Sequence, residues 1–174
     1  MEKYFNLKDK AVSFSSADEI KSFPALKSVV EDMTKHKKEL GIEGVFASTS
    51  MSGGETWRWD SHLASVPFYY EMKDKDSDSS TIATAYSTNE IEFKYADNFR
   101  NLIDLYTDNS VSQKSVLSGK SVDDSMAEFA LGRAAMVQNG NWAWEQIAEV
   151  SGNKVNADDV KYMPIYTGVD GEEK

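Results

Sequence analysis

All four tryptophans of the chain fall in two Trp-x-Trp pairs: Trp57 and Trp59 in ETWRWD (55–60), Trp142 and Trp144 in NGNWAW (139–144). Each pair sits among short polar or fork-shaped side chains, Glu55, Arg58 and Asp60 around the first, Asn139 and Asn141 around the second. Aromatic faces beside such groups suit a sugar. Its C–H faces pack on a ring while its hydroxyls exchange hydrogen bonds with amide, carboxylate and guanidinium groups. In a helix, residues i and i+2 point about 200° apart, so one member of each pair faces the core and the other faces out. On that argument Trp142 meets a ligand and Trp144 packs. In the first pair Trp57 is favoured over Trp59, which stays among the candidates. His62, close behind the first pair, could point into the same pocket. The rival reading makes every tryptophan a core residue.

Other chemistry is thinly represented. The chain has two histidines and no cysteine, which removes disulfides, thiolate metal sites and thiol nucleophiles together. His36 lies in the lysine-rich run KHKKEL and is expected on an exposed helical face. No Gly-x-Ser-x-Gly, P-loop or His-Glu-x-x-His motif is present. The pairs Asp123-Asp124 and Asp158-Asp159 stand where helices should begin, and capping accounts for them better than acid–base chemistry. Asp74, Asp76 and Asp78 alternate like the start of a calcium loop, but its sixth position is Ser79 rather than Gly and its twelfth is Ala85 rather than Glu. No metal and no cofactor is therefore expected.

The 174 residues suffice for one domain with a core of its own, at 40% hydrophobic and 28% charged. A net charge of −10 argues against nucleic acid and against anionic lipid as partners. The opening MEKYFNLKDK lacks the apolar stretch of a signal peptide, which fits either a cytosolic protein or a piece of a longer one.

The elements that must hold the tryptophans can be placed from periodicity and caps. Ser16–Glu19 has capping-box spacing, so a helical turn should begin near Ala17. Pro24 suits the first turn of a helix that Leu26, Val29, Val30, Met33 and Leu40 continue to a stop at Gly41. GVFAST (44–49) reads as a buried strand, and a helix over 61–72 should be interrupted or kinked at Pro67. Ile91, Tyr95, Phe99, Leu102 and Tyr106 predict a helix from 89 to about 106. Further helices are expected over 123–131 and 141–150, with strands at 134–138 and 160–168. Helices alternating with short apolar strands give an α/β class. In open α/β sheets ligands sit beyond the carboxyl ends of the strands, which is where this order puts Trp142.

The run AEFALGRAAMVQNGNWAWEQI, followed by a segment ending in MPIYTG, resembles the carbohydrate-binding proteins of bacterial ABC importers, the family of maltose-binding-protein-like solute receptors. Phe129, Gly132, Arg133, Ala135, Met136, Asn139, Gly140, Trp142, Trp144 and Pro164 carry the likeness. SADEIKSFPALKSVVEDM, GETWRWDSHLASVPFYYE and FRNLIDLYTDN are similar to earlier parts of the same pattern, so the resemblance runs from about 17 to 168. It implies a class II periplasmic-binding-protein-like fold, with all 174 residues forming one helix-rich lobe around a short central sheet. That lobe is the C-terminal one of a two-lobed receptor. It implies a carbohydrate ligand, membrane permease subunits as partners, and an extracytoplasmic, lipid-anchored location for the intact receptor. A monomer is the expected state. The candidate ligand contacts are Trp142, Trp57, Glu55, Arg58, Asn139, Asn141, Trp59 and His62. Two alternatives stand beside this one: a carbohydrate-active enzyme using Glu55 and Asp60 as its carboxylate pair, and a structural or adhesive domain with no small ligand.

Overall fold

A computed structural model describes residues 1–75, 87 and 90–172. After a single turn, α1 (Glu2–Phe5), the chain reaches α2 (Phe23–Lys35). Ser22 caps α2, its hydroxyl accepting from the Ala25 N–H at 3.3 Å, and Pro24 sits in the first turn, where its missing N–H costs nothing. Leu26, Val29, Val30 and Met33 form its buried stripe, each worth roughly 1.5–3 kcal/mol of apolar burial. The helix does not run on unbroken to Leu40. It stops at His36, and a separate turn, α3 (Lys37–Leu40), ends at Gly41. His36 is mostly buried rather than on an open face: its Nδ1 lies 2.9 Å from the Asp32 carbonyl and 3.6 Å from the Asp32 carboxylate. Asp32 also accepts from the Tyr4 hydroxyl and the Ala11 N–H, both at 2.8 Å, which fastens the N-terminal segment to α2.

The sheet is small and parallel. β1 (Gly44–Phe46) pairs with β2 (Ala134–Met136) in the register Gly44 to Ala134 and Phe46 to Met136. On its other side β1 takes one bridge to Ser110, through Phe46 N–H to Asn109 O (3.0 Å) and Val111 N–H to Phe46 O (2.9 Å). Gly44 permits that approach, since a Cβ there would lie 2.3 Å from the Val111 nitrogen. The architecture is a helix-rich mixed α/β fold around this pair of strands.

Between the strands come a π-helical turn (Arg58–Leu63), α4 (Ser65–Lys75), α5 (Ala96–Asp108) and α6 (Val122–Ala130). The expected kink at Pro67 is absent, because Pro67 occupies the first turn of α4. The interruption comes earlier, where Ala64 N–H bonds back to Trp59 O at 3.0 Å. α5 starts later than the periodicity predicts. Ile91 and Phe93 lie outside it and are exposed, while Leu102, Leu105 and Tyr106 pack against Phe46 and Trp59 in the main core. α6 opens with a complete capping box between Ser121 and Asp124. The turn at Ala17–Glu19 is a short 3₁₀ segment, and Glu19 accepts from the Ser15 N–H and hydroxyl.

α7 (Ala143–Ala148) follows β2 and packs on α6 through Met126, Ala130, Ala143 and Ile147, with Trp144 against this second core. The last expected strand does not form: 160–168 is irregular chain with no ladder partner among the described residues. Asp76, Asp78, Ser79 and Ala85 lie outside the described residues; Asp74 is paired with Lys94 and Tyr95. Among the described residues no helix is long and apolar enough to cross a membrane, and no cluster of His, Asp or Glu could hold a metal ion.

Candidate functional site

Both tryptophan pairs follow the carboxyl ends of the two paired strands. β1 leads through Ser48, Thr49 and Ser50, all buried, into the turn before Trp57, and β2 leads through Gln138 and Asn139 to Trp142 at the start of α7. The buried hydroxyl run is held by α6. Glu128 accepts from the Ser48 N–H (2.6 Å) and hydroxyl (3.0 Å), and the Ser125 hydroxyl donates to the Ser48 carbonyl. These contacts satisfy polar groups that burial would otherwise penalise, and they fix the loop that carries the first pair.

The two pairs, far apart in sequence, meet in space. Trp57 and Trp142 have ring centroids 6.2 Å apart with planes inclined at 30°. His62 presents an edge to each, at 4.8 Å from Trp57 and 6.3 Å from Trp142. The Arg58 guanidinium lies over the Trp57 ring, 4.1 Å from its centroid, and donates from Nε to Asn139 Oδ1 at 3.2 Å. Asn139 Oδ1 also accepts from the Gly140 N–H at 2.8 Å, so one amide oxygen ties both stretches together. Trp142 is 51% exposed. A pyranose stacked on both rings would need about 7–8 Å between them, two contacts of roughly 3.5–4 Å. The spacing is shorter, so a sugar would meet the outer side of the cluster, where Trp142 is open.

Gly140 has a specific reason to be glycine. An ideal Cβ there would stand 2.2 Å from Trp142 Cη2 and Cζ3, so the indole rests on the bare backbone. The Asn-Gly step in NGNWAW carries this information only once the ring position is known.

The other candidates are dispersed. Glu55 is turned to α6: its Oε2 accepts from the Ser52 hydroxyl and the Val122 N–H, a carboxylate at a helix N-terminus. Asn141 and Asp60 are exposed. Trp59 is buried at 4% exposure, edge-on to Tyr106 at 5.4 Å, and its indole N–H has no hydrogen-bond partner among the described residues. Burial pushes the Tyr106 phenol up to about 12. The structure thus gathers Trp57, Arg58, His62, Asn139 and Trp142. It sets Trp59 in the core and Glu55 in a capping role, with Asn141 at the surface.

Arg58 is the most deeply buried member. It is 6% exposed, its Nη1 is buried without a hydrogen-bond partner, and among the described residues no carboxylate stands within ion-pair distance of it. Burial lowers its pKa from the ordinary guanidinium value, with the more distant Glu55 charge opposing.

A separate cavity of about 1180 Å³ runs between β2 and the irregular chain at 155–166. It borders the cluster only through Asn139 and Gly140; Trp57, Arg58, His62 and Trp142 do not line it. We assign the site to the cluster, where an open aromatic face and an unsatisfied cationic fork occur together. No protein-family model, no curated protein and no solved structure matches the chain.

Proposed function

We propose that the chain is the C-terminal lobe of a class II extracytoplasmic solute receptor, which holds a carbohydrate for an ABC importer. The observation that carries the reading is the Trp57–Trp142 pair, 6.2 Å apart beyond the carboxyl ends of adjacent parallel strands, with Trp142 half open to solvent. Aromatic faces in that position are suited to stacking on pyranose C–H faces, and Arg58 and Asn139 supply polar groups beside them. The resemblance through Asn139, Gly140, Trp142 and Trp144 favours the same assignment. The function is binding rather than catalysis. In the intact receptor a second lobe closes over the sugar, and the closed form docks as a monomer on membrane permease subunits from outside the cytoplasmic membrane, where a lipid anchor retains it.

Tryptophan fluorescence titrated with mono- and oligosaccharides tests this. A saturable change with at least one saccharide is expected. Trp142→Ala, folded by circular dichroism, should weaken binding by about 1–3 kcal/mol, the range for a buried aromatic contact. No response to any saccharide, or an affinity untouched by Trp142→Ala, would overturn the assignment.

A further inference from the structure

The cluster holds a cation that no carboxylate among the described residues pairs with; Glu55 acts on it only from beyond ion-pair distance. Arg58 is more than nine-tenths buried, its Nε is committed to Asn139 Oδ1, and its Nη1 reaches no acceptor. Buried charges are normally paired, because removal from water costs several kcal/mol that only a counter-charge or full hydrogen bonding recovers. The nearest acid in the same stretch, Glu55, has given its Oε2 to Ser52 and the start of α6. The chain carries 29 acidic side chains, so the lack of a partner at Arg58 is not a shortage of carboxylates.

An aromatic ring of limited burial lies over the guanidinium. Trp57 covers it and is itself only part-buried, and its neighbour Trp142 is half exposed. With Nε anchored, a carboxylate that reached the guanidinium past the Trp57 ring would meet its terminal nitrogens as an end-on fork for two oxygens.

We propose that this site takes an acidic saccharide, one whose pyranose bears a carboxylate that pairs with Arg58 while the ring stacks at Trp142. The inference rests on the carbohydrate reading and narrows it from sugars in general to hexuronate-containing ones. The ligand supplies the missing counter-charge. The stacked Trp57 ring holds the guanidinium plane until it does so. The protein's overall charge of −10 opposes approach of an anion only beyond the local site, and that repulsion is screened over about 8 Å at physiological ionic strength.

The test compares digalacturonate with galactobiose of the same linkage and with the dimethyl ester of digalacturonate, read by tryptophan fluorescence on the 174-residue chain. Digalacturonate should bind about thirtyfold or more tighter than either neutral ligand, the fold-change that corresponds to the low end of losing one partner of a buried charge pair. Arg58→Gln should bring the three affinities together, and Arg58→Lys should keep part of the preference, because it retains the charge and loses the fork. Equal affinity for acid and ester in the unmodified chain overturns the proposal without reference to whether a variant folds, and so does a preference that survives Arg58→Gln. Binding of galactobiose alone overturns the acidic inference and leaves the carbohydrate assignment standing. Silence toward all three and toward a wider neutral panel removes both.

Discussion

Gly140 and Trp142 should be thermodynamically coupled, and the size of the coupling follows from their contact. Alanine at 140 would put a carbon 2.2 Å from two indole atoms and 2.4 Å from a third, where contact distances are about 3.5–4.0 Å. The backbone at 140 is not in the left-handed region, so alanine itself is tolerated there. The half-exposed ring must swing away by more than about 1 Å, losing its contact with Trp57 and part of its burial, roughly 1–2 kcal/mol. Against this, replacing glycine stabilises by about 0.4–1 kcal/mol through the unfolded chain. Gly140→Ala alone should therefore cost between about 0 and 1.6 kcal/mol. In a Trp142→Ala background, with the obstruction gone, the same change should stabilise by about 0.4–1 kcal/mol. Urea denaturation followed by far-ultraviolet circular dichroism on the four proteins measures the coupling. Additivity within about 0.3–0.5 kcal/mol would refute the packing of Trp142 on Gly140.

Two further outcomes are specific. Asp32→Ala leaves the buried Tyr4 hydroxyl without its acceptor and frees the N–H of the exposed Ala11, and should cost about 2 kcal/mol in urea denaturation; a loss below about 1 kcal/mol would mean that the N-terminal segment is not held through Asp32. Glu71 governs an acid transition. Burial pushes its pKa up, but hydrogen bonds from the Glu92 and Lys94 N–H groups, with Lys75 beside it, outweigh burial and leave it lowered. A carboxylate whose folded pKa is depressed contributes stability above its unfolded value, about 4.3, and that contribution is lost as the pH falls through the folded value. Stability should thus drop below about pH 4.3, and Glu71→Gln should flatten that part of the profile; an unchanged profile would contradict the contact.

How much of this was legible in the sequence depended on whether the deciding contacts were local. Ser121 and Asp124 stand three residues apart, and the stripe Leu26, Val29, Val30, Met33 lies on one helix face, so α6 and α2 could be read directly. GVF announced β1 by β-branched and aromatic residues between turn signals. The stretch VKYMPIYTG looks equally strand-like, yet a strand exists only through a partner, and none among the described residues pairs with it. Ile91 continued the spacing of α5 backwards by coincidence, whereas Phe93 has a φ of 58°, incompatible with helix. The inward and outward split of the tryptophans was available from helical geometry. The burial of Arg58 was not, because it depends on Asn139, 81 residues away. Nor did Glu55 reveal that it would serve α6, for the same reason of distance in sequence.

The central claim is that a saccharide meets the Trp57–Trp142 face and not the core tryptophans. It is tested most directly by following the four indole N–H signals of the ¹⁵N-labelled chain by NMR during titration with the saccharide that gives the largest fluorescence change. Trp142 should shift most and Trp57 next, while Trp59, buried against Tyr106, and Trp144, on α7 and packed against the second core, stay within a small fraction of those shifts. Shifts led by Trp59 or Trp144, or no indole responding to a saccharide that binds, would contradict it.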